Sequence, residues 1–165
     1  MDLRGLIIGL NGCIKGHELV DLQDISVTNI DFSHGRFSCS FSRCNISNCK
    51  FEKATFDTCP FKESLYQGTC FSSSTIGSPS LDDATFKECN FENAKIKGRG
   101  SREYGGRRTT FEKCNFSNAS FKNLQLRGIR FIDCSFHQVQ FEKCLLVGIK
   151  YLGNKPSHEA FINCD

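Results

Sequence analysis

From Phe41 an apolar residue returns every five positions: Phe41, Ile46, Phe51, Phe56, Phe61, Tyr66, Phe71, Ile76, Leu81, Phe86, Phe91 and Ile96. After a break the series resumes from Phe111 through Phe116, Phe121, Leu126, Phe131, Phe136, Phe141 and Leu146 to Tyr151. Two residues before most of these stands a small side chain, as at Cys39, Cys44, Cys49, Ala54, Ala84, Cys89, Cys114 and Ala119. A period of five fits neither the 3.6 of an amphipathic helix nor the 2 of a half-buried strand. Each unit therefore has one bulky and one small residue to keep dry, and three positions that tolerate water. No such unit can bury its apolar pair alone, but stacked units can line a shared core. Turn-prone Asn, Asp, Ser and Gly are spread through the repeats, which predicts a chain that bends every few residues.

The stretches Ala84-Thr85-Phe86-Lys87-Glu88-Cys89-Asn90-Phe91 and Cys114-Asn115-Phe116-Ser117-Asn118-Ala119-Ser120-Phe121 carry the pattern most clearly. On these residues the chain, from roughly Val20 to Tyr151, resembles the pentapeptide-repeat proteins, whose unit is small–Asp/Asn–Leu/Phe–x–x. The resemblance implies an all-β fold, a right-handed quadrilateral β-helix with four units per coil. Coils would stack at about the inter-strand spacing of 4.8 Å. Leu22, Val27, Phe32 and Phe37 form an earlier set offset by one residue, read as the first coil with a deletion at a corner. Later coils then start at Phe41, Phe61, Leu81, Phe111 and Phe131, giving about six coils and a rod about 30 Å long. That phase stacks Phe51, Phe71 and Phe91, followed by Phe121 and Phe141. Residues 1–21 are expected to cap the first coil through Leu3, Leu6, Ile7, Ile8 and Leu10, since an open solenoid end exposes core and backbone. Residues 22–165 form the solenoid, with an irregular segment over 152–165.

Eleven cysteines would suggest a disulfide framework in a secreted protein. Nine of them, Cys39, Cys44, Cys49, Cys59, Cys89, Cys114, Cys134, Cys144 and Cys164, fall in the small inward slot, leaving Cys13 and Cys70 outside it. In that slot they read as reduced packing thiols. The compartment is then reducing, most simply a cytoplasm, or a host cytoplasm for a secreted effector. Their spacing follows the repeat rather than that of a zinc site, so no metal is expected. Leu10-Asn11-Gly12-Cys13 loosely resembles a lipoprotein cleavage box, but the apolar stretch before it is brief and interrupted by glycine.

The net charge of +3 does not by itself call for a nucleic acid, and no run is long enough to cross a membrane as a helix. No Walker loop, GxSxG or HExxH motif is present, and the histidines are scattered. No catalytic residue, cofactor or enzyme activity is therefore expected. The segment Lys97–Arg108 has five cations, one anion and four glycines, and no apolar residue in the repeat positions. It reads as an excursion from the coil. Arg99, Arg102, Arg107 and Arg108, with Tyr104 as an anchor, are the candidate partner-binding residues; a solvated insertion is the alternative reading. Ser72–Ser80 suggests a softened corner, and Leu152–Glu159 another loop.

These observations favour a non-enzymatic protein-interaction scaffold, which the resemblance extends to bacterial effectors and to modules of larger proteins. The alternative is a DNA-mimicking protein that protects gyrase, of the quinolone-resistance type within that family. A mimic wants an acidic surface, and this chain is net positive with a basic loop. Nucleic-acid binding through the Arg loop is a third, less supported reading. An end-to-end homodimer through the last coil is a further expectation.

Overall fold

The computed structural model describes residues 23–165. The expected N-terminal cap, Leu22 and Cys13 lie outside the described residues. The architecture is an all-β parallel solenoid with four faces. The first face is a seven-stranded parallel sheet whose inward residues are Val27, Ile46, Tyr66, Phe86, Phe111, Phe131 and Tyr151. The third face is a second seven-stranded sheet with Phe37, Phe56, Ile76, Ile96, Phe121, Phe141 and Phe161. Between them the second face is a ladder of single bridges through Asp31, Lys50, Cys70, Asn90, Asn115 and Ser135. The fourth face includes a three-stranded sheet made by Glu103–Arg107, Leu124–Arg127 and Leu145–Val147. Two sheets of seven strands mean about seven turns rather than six; the extra one is supplied by Tyr151 and Phe161, which stay in register beyond the last regular unit.

The period of five works because each unit is a short strand and a corner. In Phe51-Glu52-Lys53-Ala54 the Ala54 N–H donates to the Phe51 carbonyl at 3.1 Å, and Lys53 has φ 55°. Positive φ at the third residue is the type II turn geometry. A left-handed residue recurs two places after most bulky ones, at Arg43, Asn48, Lys53, Thr58, Glu63 and onward. Each bulky residue points inward and stacks on its counterpart one coil away. Phe51, Phe71, Phe91 and Phe116 stack with ring centroids 5.3, 4.9 and 5.0 Å apart and planes within 7°. Across the corners the rings meet edge to face, as Phe111 and Phe116 do at 5.2 Å and 81°. Both are favoured aromatic geometries. Phe86 and Phe116 are buried, while Phe136 is half-buried but stacks on Phe116 at 5.8 Å.

The small slot is more than a gap filler. The thiols of Cys59, Cys114 and Cys134 donate to the carbonyls of Phe37, Phe86 and Phe111 on the preceding coil, at 3.3 to 3.4 Å. Hydroxyls do the same where Ser64 donates to Phe41 at 2.6 Å and Thr109 to Leu81 at 2.5 Å. Burial pushes the Cys59 and Cys144 thiols up to about 11. No disulfide joins the ten cysteines among the described residues, and Cys70 lies half-buried in the outward bridge ladder as its phase predicts.

Three expectations are corrected. The excursion is narrower than Lys97–Arg108, because Lys97 ends one strand and Glu103–Arg107 forms another on the fourth face. Residues 98–102 replace the single residue that Asn123 supplies on the next coil, and the register shift between Tyr104 and Gly106 adds a fifth, so that Phe111 pairs with Phe86 rather than starting a coil above Leu81. Phe121 and Phe141 consequently belong to the third face, stacked on each other at 4.7 Å, and the column of Phe51, Phe71 and Phe91 continues into Phe116 and Phe136. Ser72–Ser80 is not softened: Thr75–Gly77 is a regular strand with Ile76 between Phe56 and Ile96. The deletion lies where expected, since Val27 pairs with Ile46 nineteen residues on while Ile46 pairs with Tyr66 twenty on.

On the fourth face Gly106 stands where other coils bring a bulky side chain, and Gly105 before it is the extra residue of the register shift. A Cβ at Gly106, with φ 142°, would lie 2.9 Å from the Leu81 backbone nitrogen and Cβ, so only glycine lets the two coils close there.

Candidate partner-binding surface

The outward positions carry both signs of charge along the rod, with opposite charges paired at two places and Lys97 beside Lys122 at another. In-register stacking sets Lys87 3.4 Å from Glu112 and Lys122 2.8 Å from Glu142, one coil apart. The Lys122 hydrogen bond holds Glu142 below the usual carboxylate range. Immediately after the bulky residue the third face reads Ser38, Asp57, Gly77, Lys97, Lys122, Glu142 and Ile162, and the first face reads Thr28, Ser47, Gln67, Lys87, Glu112, Ile132 and Leu152. Neither of these columns is a continuous acidic stripe.

The five expected site residues do not form one flexible loop. Arg99 and Arg102 lie in the excursion, Tyr104 and Arg107 in the fourth-face strand, and Arg108 at the following corner. The side chains of Arg99, Arg102, Tyr104 and Arg108, and the backbone of Arg107, are drawn onto carboxylates of other coils. Arg99 Nη2 donates to Asp57 Oδ1, and Arg102 Nη2 donates to Asp165 Oδ2. The Tyr104 hydroxyl donates to Asp82 Oδ1, which also accepts the Arg107 backbone N–H at 3.0 Å. Arg108 clasps Asp83 with two bonds of 2.6 and 2.7 Å. The Arg108 hydrogen bond lowers the Asp83 carboxyl, whereas burial and the Asp82 bond push Tyr104 up to about 12. Burial draws the Glu103 carboxyl up, but the backbone N–H groups of Arg99 and Gly100 and the Arg99 charge outweigh it and hold it low. The excursion is thus a strap along the edge between the third and fourth faces, tied towards both ends of the rod.

Sequence reasoning found the cations but missed the carboxylates that receive them, Asp57, Asp82, Asp83 and Asp165. These sit in ordinary outward positions, and only the coil register brings them to the strap. Beside the strap runs a groove of ≈ 490 Å³ lined by Thr55, Phe56, Asp57, Thr75, Gly77, Lys97, Gly98 and Arg99. Among the described residues no group of three or more His, Cys, Asp or Glu could hold a metal, and no helix is long and apolar enough to cross a membrane.

A family model described as pentapeptide repeats matches residues 107–148 in eight copies. The chain is built of pentapeptide repeats. The two seven-stranded sheets continue through the described coils on either side of that match. Among solved structures, a pentapeptide repeat protein from the Arabidopsis thaliana thylakoid lumen is 16% identical, with a TM-score of 0.48, covering 64% of this chain and 77% of that one. A trypsin-treated form of QnrB1, a plasmid-mediated fluoroquinolone resistance protein, is 12% identical, with a TM-score of 0.38, covering 90% and 91%. The pentapeptide repeat protein Rfr23 from the cyanobacterium Cyanothece 51142 is 13% identical, with a TM-score of 0.36, covering 86% and 86%. No curated protein matches the chain.

Proposed function

We propose that this pentapeptide-repeat chain is a non-enzymatic scaffold that binds a protein partner through the third and fourth faces beside the strap. The observation that carries this reading is the set of side-chain bonds from Arg99, Arg102, Tyr104 and Arg108 to Asp57, Asp165, Asp82 and Asp83. They hold a glycine-rich basic segment in one relief on a stack of rigid coils, and a surface already ordered loses less entropy on binding. The stacked rings fill the core, so the chemistry of the protein lies on its outer skin. The unbridged thiols, buried and donating to carbonyls, support a reducing compartment such as a cytoplasm. An end-to-end homodimer draws its support from half-buried Tyr151 and Phe161 and exposed Leu152 and Ile162 on the last coil. Gyrase protection by DNA mimicry has less support, because neither outward column described above is a continuous acidic stripe.

The test is partner capture by the intact chain against one with residues 98–102 replaced by a short Gly-Ser link, both checked for folding by circular dichroism. Loss of the partner with the fold retained is expected. Equal capture by both chains would remove the strap from the function. A gyrase supercoiling assay with a quinolone should show no protection.

A further inference from the structure

The groove beside the strap has one peculiarity in its floor. Along the first and third faces the position just after each bulky residue carries a side chain on every described coil except at Gly77. The backbone does not demand that glycine. Its φ is not positive, and a Cβ built there would meet its nearest neighbour, the Phe56 carbonyl oxygen, at 3.4 Å, an ordinary contact. Gly77 sits in register between Asp57 and Lys97, so the missing side chain opens a notch between a carboxylate and an ammonium group. Arg99 arches over it to Asp57, engaging that carboxylate through Nη2. Lys97 makes no ion pair with any described residue. The hydroxyls of Thr55 and Thr75 stand alongside, in register with Lys95.

We propose that this notch anchors a single carboxylate side chain of an acidic peptide segment in the partner. The ionised groups lining it are Lys97, Arg99 and Asp57, a surplus of one positive charge, which one carboxylate neutralises. A phosphate dianion would leave an excess negative charge beside Asp57. A guanidinium has five donors in a planar fork, so Arg99 can keep Asp57 on one edge and take the incoming carboxylate on another, with Lys97 opposite. The threonine hydroxyls complete the set of donors, and Lys95 at the rim adds attraction at longer range. The inference rests on the scaffold reading and names the chemistry the partner must bring.

The experiment measures binding of a fluorescent synthetic decapeptide of alternating Glu and Gly to the intact protein by anisotropy. Gly77→Thr should fill the notch, leave the thermal midpoint unchanged or higher, and weaken the peptide about tenfold or more. Lys97→Gln should weaken it similarly. Arg36→Gln, which removes a charge from the same face outside the notch, should change affinity less than about twofold. Equal effects of Lys97→Gln and Arg36→Gln, or no effect of Gly77→Thr, would show diffuse attraction and overturn the anchor. Inorganic phosphate displacing the peptide more strongly than acetate at equal ionic strength would also overturn it, reassigning the notch to a phosphoryl group. If the intact chain binds no acidic peptide but still captures a partner through residues 98–102, the anchor fails and the scaffold reading stands. If residues 98–102 prove dispensable for partner capture while the peptide results are as expected, the scaffold reading at the strap fails and the notch stands.

Discussion

Tyr66 offers the sharpest test of how the core is built. Its ring is fully buried and stacks on Phe86 at 4.8 Å with planes 10° apart. Its neighbours in the same column include Ile46 and Phe86, neither of which has a polar atom. The Tyr66 hydroxyl has no hydrogen-bond partner, and burial pushes its pKa well above that of an ordinary tyrosine. An unpartnered buried hydroxyl costs about 1–3 kcal/mol. Tyr66→Phe removes that cost and forfeits only the few dispersion contacts of one oxygen, each about 0.1–0.2 kcal/mol. The expected result is a gain of about 1 kcal/mol. For a chain of this size that raises the thermal midpoint by about 2–4 °C. In urea the midpoint should rise by about 0.5 M with an unchanged slope.

The comparison needs a partner substitution. Phe71 is equally buried and stacks on Phe91 at 4.9 Å, so Phe71→Tyr should lose about what Tyr66→Phe gains. Both are read by circular dichroism in urea. A loss of stability of 1 kcal/mol or more in Tyr66→Phe would refute the reasoning. It would mean that the hydroxyl is satisfied, for instance by a buried water that bridges it to another polar group.

Thr58 is a β-branched residue held at φ 58° in an exposed corner, a conformation that costs such residues about 1–2 kcal/mol. Thr58→Asn should stabilise by about 1 kcal/mol in the same urea assay, and a loss would show that the corner does not set the cost. Cys114→Ser should be tolerated about as well as Cys114→Ala, within about 1 kcal/mol, because a hydroxyl can donate to Phe86 O as Thr109 already does to Leu81 O; a severe loss in the serine variant alone would contradict the donor role. Alkali should unfold the rod. The Cys59 and Cys144 thiols are raised from 9.0 to about 11 by burial, so the unfolded chain releases their protons first. Their contribution is complete below pH 9 and is lost as pH climbs towards 11, at most about 3 kcal/mol for each thiol; a urea midpoint flat from pH 8.5 to 10.5 would refute it.

The repeat made the inward columns legible because burial in a stack of coils is strictly periodic. Phe86, Phe116 and Cys114 could be placed by counting alone. The count failed at Lys97–Arg108, where the glycines at 105 and 106 hide a strand: with no bulky side chain, that unit shows no phase. A coil lengthened by five residues resumes in the same sequence phase as one lengthened by none, so the shift of Phe111 onto Phe86 was invisible. The donor role of the small slot could have been read from Ser64, Thr69 and Thr109, since hydroxyls in a dry position need an acceptor. The candidate site was half legible. Cationic residues announce themselves by composition, but Asp57, Asp83 and Asp165 become their partners only through contacts 42, 25 and 63 residues apart along the chain.

Stacking also bears on the choice between the binding scaffold proposed here and a charge mimic. In a parallel rod, the residue twenty or twenty-five places on is the nearest outward neighbour, at about 4.8 Å between strands. Like charges in such a column repel along its whole length, and a mimic of the DNA backbone must accept that penalty to look like phosphates to its target. This chain instead sets Lys87 on Glu112, Lys122 on Glu142 and Lys62 near Asp82, and it spends Asp57, Asp83 and Asp165 on holding down its arginines. Exposed pairs of this kind contribute little to stability, typically less than about 1 kcal/mol each. What they do is cancel the field along the columns and leave a local surplus where no carboxylate answers. Lys95 and Lys97 on the third face, beside the empty floor at Gly77, are such a place, and a partner that recognises this rod by charge should be sought with an acidic segment of its own.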